Sequence, residues 1–121
     1  MERIKPYNVL RKGCLSRDVL EIIGDKWTVL VLHVLQAGPL RYSAIGRAVG
    51  GITQKMLTAT LRNLERDGIV SRTIFPVIPP KVEYALTPRG ESLLTTLESL
   101  VGWAEEHADE VRQSRQAYRR L

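Results

Sequence analysis

Apolar residues recur at helical spacing within residues 51–68, and this pattern predicts an α-helix over about 53–67. One stripe of the helix is apolar: Leu57, Leu61 and Leu64. Thr53 is a suitable N-cap, because its hydroxyl can accept a hydrogen bond from a free backbone N–H of the first turn. Gly68 can adopt the left-handed conformation that ends a helix. The opposite side is small, polar and basic: Lys55, Ala59, Arg62 and Arg66.

A short helix with an apolar back and a small cationic front fits the major groove of DNA. The same pattern also fits an ordinary surface helix whose charged side is solvated. The elements on either side of this helix decide between the two interpretations.

Three shorter elements are predicted before it. Ser16 is a suitable N-cap for a first helix that ends at residues 24–25. The nearly continuous apolar run over residues 26–35 predicts a buried helix, since it is long for a strand. Residues 40–42 are long enough only for a small strand, and Ser43 is expected to cap a brief helix after it.

Two strands and a last helix are predicted after it. Residues 69–75 are rich in β-branched residues, and residues 81–87 alternate between apolar and polar, so together they predict a β-hairpin. Prolines and a lysine stand at its tip: Pro79, Pro80 and Lys81. Thr87 and Pro88 suit the N-cap and the first position of the last helix.

This order of elements predicts a mainly α fold with a small β-hairpin: a winged helix-turn-helix followed by a long C-terminal helix. The apolar stripe of that last helix makes it the candidate dimerisation helix. The hairpin is the wing, and its basic tip is expected to lie beside phosphates. We expect a flexible basic N-terminal arm (1–13), a winged domain (14–88), the dimerisation helix (89–116) and a tail (117–121). The basic residues 112–121 are expected to fray.

Composition indicates one globular domain of 121 residues, with 44% hydrophobic and 26% charged residues. Positive charge is concentrated between residues 41 and 72, and the net charge of +5 favours a polyanionic partner. Residues 90–111 are acidic and lack lysine and arginine, so this helix should point away from phosphates. No apolar run approaches the roughly 20 residues of a membrane span. The N-terminus lacks a signal-peptide core, and a single cysteine excludes an intramolecular disulfide. We therefore expect a cytoplasmic protein without membrane contact.

Several ordered motifs resemble the HxlR-type family of bacterial and archaeal winged-helix regulators. They are Cys14 before the first helix, Ile23-Gly24-Asp25-Lys26-Trp27, Gly38-Pro39-Leu40-Arg41-Tyr42, Gly51-Ile52-Thr53-Gln54-Lys55-Met56-Leu57, Leu61-Arg62-Asn63-Leu64-Glu65-Arg66-Asp67-Gly68-Ile69-Val70, Pro79-Pro80-Lys81-Val82-Glu83-Tyr84-Ala85-Leu86-Thr87, and Trp103 followed by His107. The similarity covers about residues 14–107, and Leu15 stands where the family commonly has proline. The resemblance implies a homodimeric transcription regulator whose terminal helices form the dimer and whose two recognition helices enter successive major grooves.

The candidate DNA contacts centre on the basic helix. Gln54 and Lys55 in its first turn are placed to reach base edges, since glutamine suits adenine and lysine suits guanine. Thr58 is a candidate for a base methyl or a phosphate, whereas Arg62 and Arg66 are expected to meet phosphates. Further candidates stand at the helix start, before the preceding helix and on the wing: Thr53, Tyr42, Ser43, Arg72 and Lys81.

The last helix carries an apolar stripe that is the candidate dimer interface. Its members are Leu93, Leu97, Leu100, Trp103, Ala104, His107 and Val111. The same stripe could instead pack entirely within one subunit.

Cys14 is a candidate redox sensor. Arg11, Lys12 and Arg17 are close in sequence, and a helix N-terminus follows, so the thiolate should be favoured. A thiolate reacts with electrophiles and oxidants, and the resemblance implies a sensor cysteine at this position. The alternative is a small buried apolar residue.

The sequence predicts neither an enzyme nor a metal or cofactor site. Two distant histidines and one cysteine lack a zinc spacing, and there is no nucleophile elbow or phosphate-cradling glycine loop. We expect a dimeric DNA-binding regulator, more specifically a repressor, that reads a pseudo-palindromic operator in double-stranded DNA. Its effector would be a thiol modification or a small ligand. The alternative is a winged-helix module that docks an acidic protein, since fold does not determine function.

Overall fold

The computed structural model describes residues 6–118; residues 1–5 of the predicted arm and 119–121 of the predicted tail lie outside the described residues. The elements are α1 (Leu15–Ile23), α2 (Lys26–Val34), a 3-10 turn (Leu35–Ala37), β1 (Leu40–Arg41), α3 (Tyr42–Ala48), α4 (Gln54–Arg66), β2 (Val70–Phe75), β3 (Lys81–Leu86) and α5 (Pro88–Tyr118). A mainly helical fold with a small sheet is therefore confirmed. The last helix extends to Tyr118, two residues beyond the expected end at residue 116.

The sheet has three antiparallel strands in the order β1-β3-β2. The wing strands β2 and β3 pair along their whole length, from Val70 opposite Leu86 to Phe75 opposite Lys81. The two residues of β1 pair with the other edge of β3, where Leu40 lies opposite Tyr84. This third strand fastens the wing to the start of α3.

One apolar core joins α2, α3, α4, the start of β2 and α5. Its buried members are Val31, Leu32, Leu35, Ile45, Val49, Leu57, Leu61, Leu64, Ile69, Val70 and Leu97. The predicted stripe of α4 is therefore confirmed as its inward face, and the buried helix over residues 26–35 is confirmed as α2. Because the apolar stripe is held in the core, the opposite side of α4 faces solvent.

The ends of α4 follow the local signals in the sequence. The Thr53 hydroxyl accepts a hydrogen bond from the Met56 backbone N–H at 3.1 Å, so the predicted N-cap is confirmed. Gly68 has a φ of 71°. The N–H groups of Gly68 and Ile69 donate to the carbonyls of Glu65 and Leu64 at 3.1 and 2.8 Å, which is the hydrogen-bond pattern of a Schellman C-cap.

Two other predicted caps are wrong. α1 begins at Leu15 with Cys14 at the N-cap position, so Ser16 lies inside its first turn. α3 begins at Tyr42 with Arg41 at the N-cap position and no side-chain cap, so Ser43 also lies inside its helix. In α3 the pairing of β1 with β3 determines where the strand ends, and the helix starts at the next residue.

Thr87 joins α5 to the end of α4, and its predicted role as N-cap is confirmed. Its hydroxyl oxygen accepts from the Gly90 backbone N–H at 3.1 Å and lies 2.6 Å from the Gly68 carbonyl, to which it donates. The Arg89 guanidinium donates to the Asp67 carbonyl at 2.9 Å. The long helix is therefore attached at its first turn to the turn that ends α4.

Candidate DNA-binding surface

The helix-turn-helix consists of α3, a short turn and α4. The turn contains Gly51, whose φ of 83° suits glycine. A Cβ added at Gly46 would lie 3.3 Å from a methyl group of Leu57, so the small residue lets α3 approach α4 closely. This close packing gives the two helices one continuous outer surface.

Tyr42 of α3 makes hydrogen bonds to α4 across that surface. Its phenol donates to the Gln54 carbonyl at 3.0 Å and also lies 2.9 Å from the Thr58 hydroxyl. Since the phenol has one proton, the threonine hydroxyl donates in the second bond. Tyr42 therefore holds the first turn of α4 against the start of α3, and the polar groups of Tyr42 and Thr58 are engaged inside the protein.

We use the name α4 recess for the shallow depression lined by Tyr42, Gln54, Lys55, Thr58, Ala59 and Arg62. A second depression adjoins it on the α3 side and shares Tyr42 and Gln54 with it; it adds Ser43, Arg47 and Thr53. The structure thus brings together most of the residues that the sequence singles out. Gln54, Lys55 and Arg62 are exposed.

Arg47 is a basic residue of this surface that the sequence reasoning did not select. It is exposed and lies four residues after Ser43 in α3, so the two side chains share one helix face. The helical spacing from Ser43 was the signal that could have identified it.

Arg66 lies apart from the α4 recess. It lines a cleft between α1 and α4 together with the acidic side chains of Asp18, Glu21 and Asp25. Its guanidinium pairs with Asp67 at 2.9 Å, and this hydrogen bond raises the pKa of Arg66. The structure therefore does not group Arg66 with Lys55 and Arg62.

The wing places its two basic residues below its tip. Arg72 in β2 pairs with Glu65 of α4 at 3.3 Å, which ties the wing to that helix. Lys81 begins β3, pairs with Glu83 at 2.9 Å and lies 5.0 Å from the centre of the Phe75 ring. The expectation of a basic tip is wrong, because Lys81 belongs to the paired strand and the loop over residues 76–80 is apolar.

Cys14 is held by the segment before it. Its Sγ lies 3.3 Å from the Ser16 hydroxyl and accepts a hydrogen bond from the Asn8 backbone N–H at 3.3 Å. These hydrogen bonds, the one from Ser16 above all, lower the pKa of Cys14 to about 7, and the charge of Arg11 adds a smaller effect. The lowering expected from the sequence is present, but hydrogen bonding is its main cause.

The apolar stripe of α5 divides into two parts. Leu97 is 3% exposed and Leu93 is half-buried, and both pack against the core of this chain. Leu100 and Trp103 are 55% and 56% exposed. The remaining candidate dimer residues, Ala104, His107 and Val111, follow on this outer part.

Trp103 and His107 form a stacked pair on the outer part of α5. Their ring centres are 4.5 Å apart, and the His107 Nδ1 donates to the Trp103 carbonyl at 2.9 Å. The pair borders a shallow depression that continues to Val111 and Tyr118. A flat aromatic surface is thus held in one orientation.

Neither a metal cluster nor a membrane-spanning helix occurs in the described part of the chain. No group of three or more His, Cys, Asp or Glu side chains among residues 6–118 could hold a metal ion. No helix in that range is long and apolar enough to cross a membrane.

Comparison with known proteins gives one consistent result. The model of the HxlR-like helix-turn-helix family matches residues 22–112. The uncharacterized HTH-type transcriptional regulator YtfH of Escherichia coli (strain K12) is 40% identical over 110 residues, which cover 91% of this chain and 87% of that protein.

Two solved structures resemble the fold described above. The transcriptional regulator YtfH from Salmonella typhimurium has a TM-score of 0.85 and 39% identity, covering 91% of this chain and 98% of that chain. The redox regulator HypR in its oxidized form has a TM-score of 0.71 and 39% identity, covering 77% of this chain and 96% of that chain.

Proposed function

This chain belongs to the HxlR-like helix-turn-helix family of DNA-binding transcriptional regulators, and we propose that it is a homodimeric repressor that reads a pseudo-palindromic operator. Its relatives are transcriptional regulators rather than enzymes. The observation that carries the proposal is the α4 recess, where exposed Gln54, Lys55 and Arg62 stand on a helix whose other face is held in the core.

The recess suggests a division of roles among its side chains. Gln54 and Lys55 are in the first turn of α4 and would reach base edges, whereas Arg62 lies two turns later and would meet a phosphate. The Thr58 hydroxyl is bonded to Tyr42, which leaves its methyl group for contact with a thymine methyl. The DNA phosphate backbone beside the α4 recess would be contacted by Ser43, Arg47 and Thr53.

The outer basic residues have a second role in this proposal. Arg66 and Arg72 are exposed and paired with carboxylates on the surface. Surface ion pairs are weak because both charges stay solvated, so either guanidinium can exchange its carboxylate for a phosphate. Lys81 would reach a phosphate in the same way.

Exposed apolar surface at both ends of the chain supports the dimer. Leu100, Trp103 and Val111 are exposed on α5, and Leu10, Leu15 and Leu20 are exposed on the N-terminal segment and α1. A second copy of the chain would cover both surfaces. A two-fold dimer of winged domains would bind half-sites about 10 base pairs apart, or a multiple of this.

We place the regulatory input at Cys14. A thiol with a pKa of about 7 is substantially thiolate at neutral pH, and thiolates react with electrophiles and oxidants. HypR, a redox regulator, has a similar fold and sequence. Modification of Cys14 beside the start of α1, close to the exposed residues of the N-terminal segment, would change the relative orientation of the two winged domains.

The test begins with selection of a binding sequence from random DNA, followed by fluorescence anisotropy with labelled operator. The titration is done at physiological salt with shuffled DNA as competitor, before and after diamide. We expect selective binding that diamide abolishes in the natural chain and leaves unchanged in Cys14→Ser. Selective binding that is indifferent to diamide would remove the thiol input only. Failure to select any sequence would favour the alternative, a protein-docking module.

A further inference from the structure

The tip of the wing is an exposed apolar point. Ile78 is 101% exposed, and Val77 beside it is more than half exposed. The sequence from residue 73 to residue 80 contains no charged side chain. Isolated apolar residues are common on protein surfaces, but here two exposed apolar residues stand side by side at the tip of the hairpin.

The position of the tip relative to α4 is constrained by contacts at the base of the wing. β2 starts directly after the turn at Gly68, where Ile69 donates to the Leu64 carbonyl at 2.8 Å. At the other end of the hairpin, the Thr87 hydroxyl after β3 donates to the Gly68 carbonyl at 2.6 Å. Both strands of the wing are therefore anchored beside the C-terminal end of α4.

The length of the wing matches the spacing of the DNA grooves. Val70–Phe75 spans six residues, and a strand rises about 3.3 Å per residue, which gives roughly 20 Å. One turn of B-DNA measures about 34–36 Å, so a major groove and the next minor groove are about 17 Å apart. A wing of this length, attached at the end of α4, is long enough to reach the neighbouring minor groove when α4 lies in the major groove.

We propose that Ile78 inserts into this minor groove as an apolar wedge, partly unstacks one base step and bends the duplex. The proposal rests on the proposed function, because it requires α4 to bind the major groove. Apolar side chains of this kind unstack base steps in other minor-groove complexes. The minor groove is about 6 Å wide, so it admits one side chain but not the paired strands behind it.

The surroundings of Ile78 suit that role. Pro79 and Pro80 follow it directly, and their fixed φ angles limit the backbone freedom that binding would otherwise remove. Lys81 lies at the base of the tip, opposite Phe75, and Arg72 lies three residues before Phe75 in β2; both would meet the phosphates that line the groove. The wing thus has cations for the backbone and an apolar side chain for the bases.

A wedge gives specificity at a position where no hydrogen bond is made. Pyrimidine–purine steps are the most easily unstacked, and A-tracts are stiff. The operator is therefore expected to carry a TA or CA step at the position of Ile78, outside the bases read by Gln54 and Lys55.

The test uses the full chain and the operator obtained by selection. Duplexes carry 2-aminopurine at each step of the flanking minor groove, and the bend is measured by energy transfer between dyes at the duplex ends. We expect the natural chain to raise 2-aminopurine fluorescence at one step and to bend the duplex. Ile78→Ala should lose both effects and bind about tenfold more weakly, because it leaves less apolar surface to bury.

The matched control is Ile74→Ala, which removes the same side chain from an exposed position in β2 rather than from the tip. It should retain the fluorescence change and the bend. Replacing the flexible base step by AA should lower the operator affinity of the natural chain and leave the affinity of Ile78→Ala unchanged. Because Ile78 is fully exposed, its loss cannot unfold the domain.

The possible results separate this inference from the function on which it rests. Selective binding without a bend, or an equal bend with Ile78→Ala, would overturn the wedge and leave the regulator intact. Failure of the natural chain to select any sequence would overturn both.

Discussion

At the scale of single residues, Cys14 shows how a short segment changes the chemistry of a side chain. The Asn8 N–H and the Ser16 hydroxyl both point to the sulfur, and both stabilise the negative charge of a thiolate. Reactivity at this position is therefore determined by hydrogen bonds made on either side of Cys14 in the sequence.

The alkylation rate of Cys14 should follow this pKa. Since iodoacetamide reacts with the thiolate, we expect the rate to rise with pH and to have its midpoint near 7. Ser16→Ala removes the main stabilising hydrogen bond, so its midpoint should move up toward the ordinary cysteine value of about 8.5. Ser16→Thr keeps the hydroxyl and should restore the lower midpoint; a common midpoint in all three proteins would contradict the assignment.

Replacing Lys55 or Arg62 by alanine should change DNA binding in two different ways. Lys55→Ala removes the proposed base contact and should cost about 1–3 kcal/mol of discrimination between operator and shuffled DNA. Arg62→Ala removes the proposed phosphate contact, so it should lower the affinity for operator and for shuffled DNA alike. It should also reduce the slope of log affinity against log salt concentration by about 1. Anisotropy titrations over a range of salt concentrations measure both quantities.

Arg112→Ala provides the charge-matched control for these two variants. Arg112 lies on the outer part of α5, where it pairs with Asp109. Its loss should leave operator affinity and the salt slope within error of the natural chain. Equal losses in all three variants would indicate a general charge effect and contradict the placement of the recess.

At the scale of elements, the sequence predicts those parts that depend on local signals. The cap at Thr53, the apolar stripe of α4 and the turn at Gly68 lie within one short segment, and all three are confirmed. The exposure of Gln54, Lys55 and Arg62 follows from the same periodicity.

The parts that sequence reasoning missed depend on contacts between distant segments. The start of α3 depends on the pairing of β1 with β3, and the brace from Tyr42 to Thr58 depends on how α3 packs against α4. The apolar wing tip was missed for a related reason. Lys81 is next to the prolines in sequence, but strand pairing places it opposite Phe75.

The first turn of α5 packs closely on the turn that links α4 to β2. A Cβ added at Gly90 would overlap the Ile69 carbonyl, whereas one added at Gly102 would meet nothing. Gly90→Ala should therefore lower the free energy of unfolding by about 1–3 kcal/mol. Gly102→Ala, in the same helix, should raise it by about 0.5–1 kcal/mol through its better helix propensity. Urea unfolding followed by circular dichroism measures both; a loss of stability at Gly102 as large as at Gly90 would contradict this account.

At the scale of the whole molecule, the first part of α5 packs in the core of this chain, and its outer part is the proposed dimer interface. Its first part belongs to the core, since Leu97 is buried against it. At the next residue, the Glu98 carboxylate accepts a hydrogen bond from His33 Nδ1 of α2 at 2.6 Å. Beyond this point Leu100, Trp103 and Val111 are exposed. The stripe that the sequence shows as continuous is thus divided by packing, a division that periodicity alone cannot reveal.

This division predicts that two leucines on adjacent turns of one helix will have separable roles. Leu97→Ala opens a cavity in the core and should destabilise the fold by about 2–5 kcal/mol, while the protein that remains folded keeps its dimer mass. Leu100→Glu places a charge on the outer surface, where burial against a second copy would be costly. Light scattering after size exclusion should then give 13.7 kDa instead of twice that mass.

Operator binding links the oligomeric state to function. A monomer of Leu100→Glu should retain a weak, salt-dependent interaction with a single half-site and lose the preference for two half-sites at fixed spacing, because that preference requires both recognition helices in one rigid dimer. Glu105→Gln, on the exposed acidic side of α5, is the control and should leave mass and spacing preference unchanged. If Leu100→Glu kept the dimer mass, the outer part of α5 would not be the interface. If it became monomeric without losing the spacing preference, the two-fold model of operator recognition would be wrong.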